Sequence, residues 1–279
     1  MAAKPGSAPW RPISTTSRWR CRTWDGRIFI VGYSSGGYGA LAAVRELHTN
    51  PRYQGIALTG AACMAGPFNF AETMRGLLAA EATYARPDIQ VQLLQAYHDC
   101  YPEAGLFSPE QALHPRLLDP GPEGFDQGDI RQWLEQACPP DLLCRKIRFR
   151  LTGCQEGALS ARSVLSPGWV ETQLLSQAWP DTPVGRILKE NDLVGGWHPK
   201  VPILLASSPT DECVPAGNTR ALMEAWTRAG AEVPMEFYPL NLFGVGVDHM
   251  TGAPLALAKA FRWIGTLKGP TFPALRSHL

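Results

Sequence analysis

Residues 27–40 read Arg27-Ile28-Phe29-Ile30-Val31-Gly32-Tyr33-Ser34-Ser35-Gly36-Gly37-Tyr38-Gly39-Ala40. A short apolar β-branched run enters Gly32-Tyr33-Ser34-Ser35-Gly36, and a helical pattern follows at once. This is the sequence form of a nucleophile elbow with Ser34 at its apex. A strand that turns directly into a helix forces the apex residue into strained backbone and lifts its side chain clear of the sheet. Strand and helix nearly touch there, so small residues are expected two before and two after the apex, at Gly32 and Gly36. The pattern predicts a strand over 28–31 and a helix over 35–49. The plain alternative is a serine that caps an ordinary strand-to-helix turn. The pentapeptide alone does not decide between them.

Two distant segments do. Val201 to Pro215 contains an apolar strand over 203–206 and a polar turn carrying Asp211. Pro234 to Leu240 reads as another strand, followed by a glycine-containing loop, Asp248-His249 and a helix over 253–267. Chain order is Ser34, Asp211, His249, unlike the orders in chymotrypsin or subtilisin. Each residue falls just past the C-terminal end of a predicted strand, the edge where open α/β sheets place their sites. Taken singly, Asp211 fits a turn aspartate and His249 a surface histidine. Together, in this order, they point to one proton relay. Ser34 needs a base, His249 supplies it, and Asp211 holds the imidazole. Asp248 is the rival acid, but it adjoins His249 in sequence and its side chain is expected to diverge. The Ser35 backbone N–H, at the start of the helix, is the expected oxyanion donor. The remaining histidines, His48, His98, His114, His198 and His278, are read as structural or solvated, with His198 closest to the acid strand.

The stretches 31–46, 65–70, 188–193, 201–215 and 248–255 resemble the α/β-hydrolase superfamily, and within it secretory-lipase-like serine esterases with a helical cap. The resemblance runs over about 25–267 and implies hydrolysis of carboxylic esters through an acyl-enzyme. Ser34, Asp211 and His249 match the catalytic positions, and the implied partner is a small-molecule or lipid ester. A serine peptidase of the same fold is an alternative. The expected architecture is an α/β core over 25–67 and 197–279, with a mostly helical cap over 68–196. The family core also places several strands and two helices ahead of the elbow, and here Ser34 stands near the start. The fold is therefore expected to be N-terminally truncated, without the loop that gives the second oxyanion donor. A further alternative is thus a catalytically impaired remnant. Residues 1–24, rich in Pro, Ser and Arg and lacking acids, are expected to be a disordered or non-native segment.

Composition narrows the field. The chain has 279 residues, 45% hydrophobic and 18% charged, which is ordinary globular material. A net charge of +1 gives no electrostatic case for nucleic acid. No run of 18 apolar residues is present and no secretory signal is legible, although the resembled family is often secreted. The seven cysteines are odd in number and lack C-x-x-C spacing, so no metal or cofactor is expected. Cys138 and Cys144 are read either as a staple or as free buried thiols. Further helices are predicted over 72–84, 89–97, 130–137, 170–179 and 217–229, and a second strand over 55–62. Leu77, Leu78, Leu93, Leu94, Trp133, Leu174, Leu175 and Trp179 are expected to form either the cap's own core or an acyl pocket.

Overall fold

The computed structural model describes residues 26–53, 55–102, 108–125 and 127–267, so the expectations for residues 1–24 and for His278 lie outside the described residues. Strands β1 (Phe29–Tyr33), β2 (Gly60–Met64), β3 (Ile203–Ser207) and β4 (Met235–Pro239) form one parallel sheet in that order. β2 and β3 are buried along their whole length and read as nearly continuous apolar runs, as strands covered on both faces must.

Strand periodicity divides the core into two layers. Ala61, Cys63, Ile203 and Leu205 face helix α1 (Ser35–Thr49) and the helix Gly217–Arg228, packing on Leu41, Val44, Leu222 and Trp226. Ala62, Met64, Leu204 and Ala206 face the helix His249–Thr266 and its Ala256, Ala260 and Trp263. The result is a three-layer α/β arrangement. Among the described residues β1 and β4 are the two edges, and β4 is followed by a small antiparallel hairpin, β5 (Asn241–Leu242) and β6 (Val245–Gly246).

A third apolar cluster is built entirely from residues 71–188. Helices α2 (Phe70–Ala79), α3 (Pro87–Cys100), Pro140–Thr152 and Pro183–Asn191 surround Leu78, Trp133, Ile147 and Trp169. Asp192 ties this region to the sheet layers. Its carboxylate accepts the Ala71 amide at 3.1 Å, and its carbonyl accepts from Arg45 of α1.

Several predicted boundaries move. The second strand begins at Gly60 rather than 55, because pairing with β1 and β3 sets its register and leaves Ile56 exposed. α2 stops at Ala79, where Glu81 takes a positive φ of 50°. The stretch 170–179 is a π-helical turn over Val170–Leu175. The six described cysteines are free thiols, Cys138 and Cys144 included; Cys144 sits inside its helix with Sγ toward the Ala85 carbonyl. No helix among the described residues is long and apolar enough to cross a membrane.

Candidate active site

The β1-to-α1 turn holds Ser34 at φ 59° and ψ −128°, a region that L residues enter only under constraint. That constraint is visible. The Ser34 amide donates to the Met64 carbonyl of β2 at 3.0 Å, and its carbonyl accepts the Tyr38 amide, opening α1. A Cβ on Gly32 would stand 2.0 Å from the Gly36 carbonyl oxygen, and one on Gly37 would stand 2.3 Å from the Met64 carbonyl oxygen. Gly36 itself has open space for a Cβ. The tight pair is therefore Gly32 and Gly37, and Gly36 contributes its backbone to the contact rather than a missing side chain.

His249 Nε2 lies 2.7 Å from Ser34 Oγ, and its Nδ1 lies 2.8 Å from Asp211 Oδ2. Three side chains from the ends of β1, β3 and the loop after β6 thus form one continuous hydrogen-bonded path. Asp211 is fixed from behind, since its Oδ1 accepts the amides of Cys213 at 2.9 Å and Val214 at 2.7 Å. Its side chain is fully buried and that of His249 nearly so. Asp248 takes no part in this path. It caps the helix His249–Thr266, accepting from the Thr251 amide and hydroxyl, and those bonds hold its carboxyl below the ordinary range. The cap also moves the start of this helix ahead of the predicted position 253, with Pro254 carried inside it.

The histidine loop is held by groups with no signature in the sequence. Tyr33, the residue before the serine, donates its hydroxyl to the His249 carbonyl at 2.7 Å and lies with its ring 5.2 Å from the imidazole. Burial, and then the nearby Asp211 charge, raise its phenol above the ordinary value. Glu212 Oε2 accepts the His249 amide at 3.1 Å. Ser208 Oγ accepts the Val247 amide, and Thr210 Oγ1 donates to the Val247 carbonyl. The acid loop and the histidine loop are therefore clamped to each other. Of the other histidines, His48 accepts the Lys200 amide, His114 accepts the Arg116 amide, and His198 is exposed.

A pocket of about 320 Å³ opens over Ser34 and Ser35. Its walls come from the helical region through Phe70, Met74, Ile89 and Leu93, and from the acid loop through Cys213 and Val214. A smaller apolar cavity of about 50 Å³ shares Phe70, Met74, Leu93, Tyr97 and Leu188 with it and extends among Leu94, Trp169 and Leu174. Of the eight residues expected in either the cap core or a pocket, Leu78, Leu93, Leu94 and Leu174 line these spaces, Leu78, Leu94 and Leu174 also packing in the helical cluster, and Leu77, Trp133, Leu175 and Trp179 belong to that cluster alone.

Residues 163–267 match the family model described as secretory lipase. Comparison with curated proteins gives no match. Among solved structures, the rice cell wall degrading esterase LipA from Xanthomonas oryzae aligns with a TM-score of 0.59 at 19% identity, covering 87% of this chain and 58% of that one. A putative hydrolase from Legionella pneumophila gives 0.59 at 16% identity over 89% and 58%. Candida antarctica lipase A gives 0.54 at 17% identity over 86% and 48%. The chain thus spans less than two thirds of the length of each. It has the α/β-hydrolase fold, and it is similar to lipase-like esterases built on that fold.

Proposed function

We propose that the chain is a serine hydrolase that cleaves carboxylic esters through an acyl-enzyme on Ser34. The observation that carries this reading is the unbroken path from Ser34 Oγ through His249 to Asp211, with both bonds under 3 Å. In the acylation step His249 Nε2 takes the Ser34 proton as the oxygen attacks the ester carbonyl, and then returns it to the leaving alcohol. Water repeats the sequence and releases the acid. Asp211 keeps the proton on Nδ1 and stabilises the imidazolium formed at each transfer. The carbonyl oxygen, turning anionic, is met by the Ser35 amide at the positive end of α1. Similarity to a rice cell wall degrading esterase and to a lipase supports an ester substrate over a peptide.

The same reading gives the helical region a role. Residues 68–196 act as a cap over a core formed by 25–67 and 197–279, and the apolar walls of the Ser34 pocket receive the acyl group away from water. The experiment is hydrolysis of p-nitrophenyl esters of increasing chain length. Wild-type turnover should fall by roughly 10⁶ in Ser34→Ala, reaching background. Equal turnover in the two proteins rejects the assignment.

A further inference from the structure

The Cys213 amide helps to hold Asp211, but its thiol stands beside the relay and makes no bond within it. Its thiol, an Asp211 carboxylate oxygen and a His249 ring nitrogen all lie within 4.8 Å of one another, and all three residues are buried. We infer that Asp211, Cys213 and His249 form an inhibitory site for a thiophilic divalent cation such as Zn²⁺. The inhibition, though not the binding, rests on the hydrolase reading above.

The donor set is what decides the ligand. Imidazole, thiolate and carboxylate together suit zinc or cadmium, whereas magnesium and calcium take all-oxygen sites. Bonds of about 2.0 Å to nitrogen and oxygen and 2.3 Å to sulfur separate tetrahedral donors by roughly 3.3–3.7 Å. The observed set reaches that spacing by moving its most distant members about 1 Å. A thiolate and a carboxylate balance the two charges of the cation, so the loaded site is neutral. Glu212 lies alongside, with Oε1 3.4 Å from Cys213 Sγ. The cation Arg86 also faces this thiol, but it is engaged by Asp88 through two bonds of 2.9 and 2.7 Å. Access runs through the pocket over Ser34, which Cys213 lines. Spacing rules that look for paired cysteines pass over this set, because Asp-x-Cys meets a histidine from a distant loop.

Binding has a fixed proton balance. A free thiol is protonated near neutrality, so Cys213 gives up one proton as the metal–sulfur bond forms. Whichever imidazole nitrogen ligates the cation, the relay stops: ligation at Nδ1 shifts the ring proton to Nε2, which then cannot accept from Ser34, and ligation at Nε2 occupies the lone pair that would accept it.

The test uses Co²⁺ as a spectroscopic probe and Zn²⁺ as the inhibitor, on the full chain. Co²⁺ should produce a thiolate-to-metal charge-transfer band, retained in a Cys21→Ser/Cys100→Ser/Cys154→Ser variant that removes the exposed thiols Cys100 and Cys154 and the thiol of Cys21. The band should vanish in Cys213→Ser. His249→Asn should weaken Co²⁺ binding while keeping the thiol, so a poorly folding Cys213 variant does not leave the question open. Removal of the Cys213 ligand should raise the Zn²⁺ concentration for half-inhibition, relative to each protein's own uninhibited rate, by about 100-fold or more. Absence of the band in the wild type, its survival in Cys213→Ser, or unchanged Co²⁺ affinity in His249→Asn overturns the inference. A band in an inactive protein leaves the cation site standing and rejects the hydrolase reading. An active protein without the band does the reverse.

Discussion

The phenol of Tyr33 donates a 2.7 Å hydrogen bond to the main-chain carbonyl of His249, joining the residue before the serine to the backbone of the histidine that contacts it. A Cβ on Gly252 would stand 2.6 Å from that hydroxyl, so the helix carrying His249 closes tightly over it. With His249 as the base proposed above, Tyr33 touches no reacting atom and acts as a positioning residue. Tyr33→Phe keeps the ring against the imidazole and removes one bond of about 1 kcal/mol. Turnover of a p-nitrophenyl ester should fall roughly 3–10-fold with KM nearly unchanged. A change in KM alone contradicts that role.

The glycines around the elbow should separate cleanly. Gly32→Ala drives a methyl into the Gly36 carbonyl and should cost about 3 kcal/mol or more, read as a lower urea midpoint. Gly36→Ala meets open space inside α1 and should be neutral or gain about 0.5–1 kcal/mol. Equal losses at both positions contradict the packing described.

The two neighbouring acids should behave oppositely. Asp211→Asn leaves the amide acceptor in place but loses the charge beside Nδ1, and turnover should drop by about 10⁴. Asp248→Ala removes a helix cap and should lower the melting temperature slightly, with turnover within about 3-fold of wild type. A large loss in turnover at Asp248 would transfer the acid's role to it.

Asp192 gives a pH signature in stability. Burial lifts its carboxyl from the ordinary 3.8 to about 6, against the pull of the Ala71 and Phe70 amides. The folded chain therefore binds this proton more tightly than the unfolded chain. Its contribution is present below the unfolded value and is lost as pH rises through about 6. Asp192→Asn keeps an acceptor for the Ala71 amide and cannot ionise. Relative to wild type, its stability should rise by roughly 1–3 kcal/mol between pH 4 and pH 7, measured by urea titration at each pH. A flat difference across that range contradicts the shift.

How legible all this was in the sequence depended on range. Local signals carried α1 and β3, because a continuous apolar run and a glycine-rich turn need only their neighbours. Chain order and strand ends singled out Ser34, Asp211 and His249, which hydrogen bonds join, yet the bonds that hold them in place were not legible. Tyr33 and Glu212 meet His249 across more than thirty positions, and no spacing marks such a pair. Two helices of the helical region were not predicted at all. Pro140–Thr152 and Pro183–Asn191 each begin at a proline, where a missing amide costs nothing. The second strand was misplaced because Ile56 and Leu58 extend its apolar run, while its true register is dictated by partners on both sides.

The central claim is that Ser34 is a nucleophile activated by His249. It is tested most directly by exposing the folded chain to a fluorophosphonate and mapping the adduct by peptide mass spectrometry. A single adduct on Ser34, absent in Ser34→Ala and strongly slowed in His249→Asn, is the predicted result. A folded chain that forms no adduct, or forms it on another residue while Ser34 stays unmodified, contradicts the account.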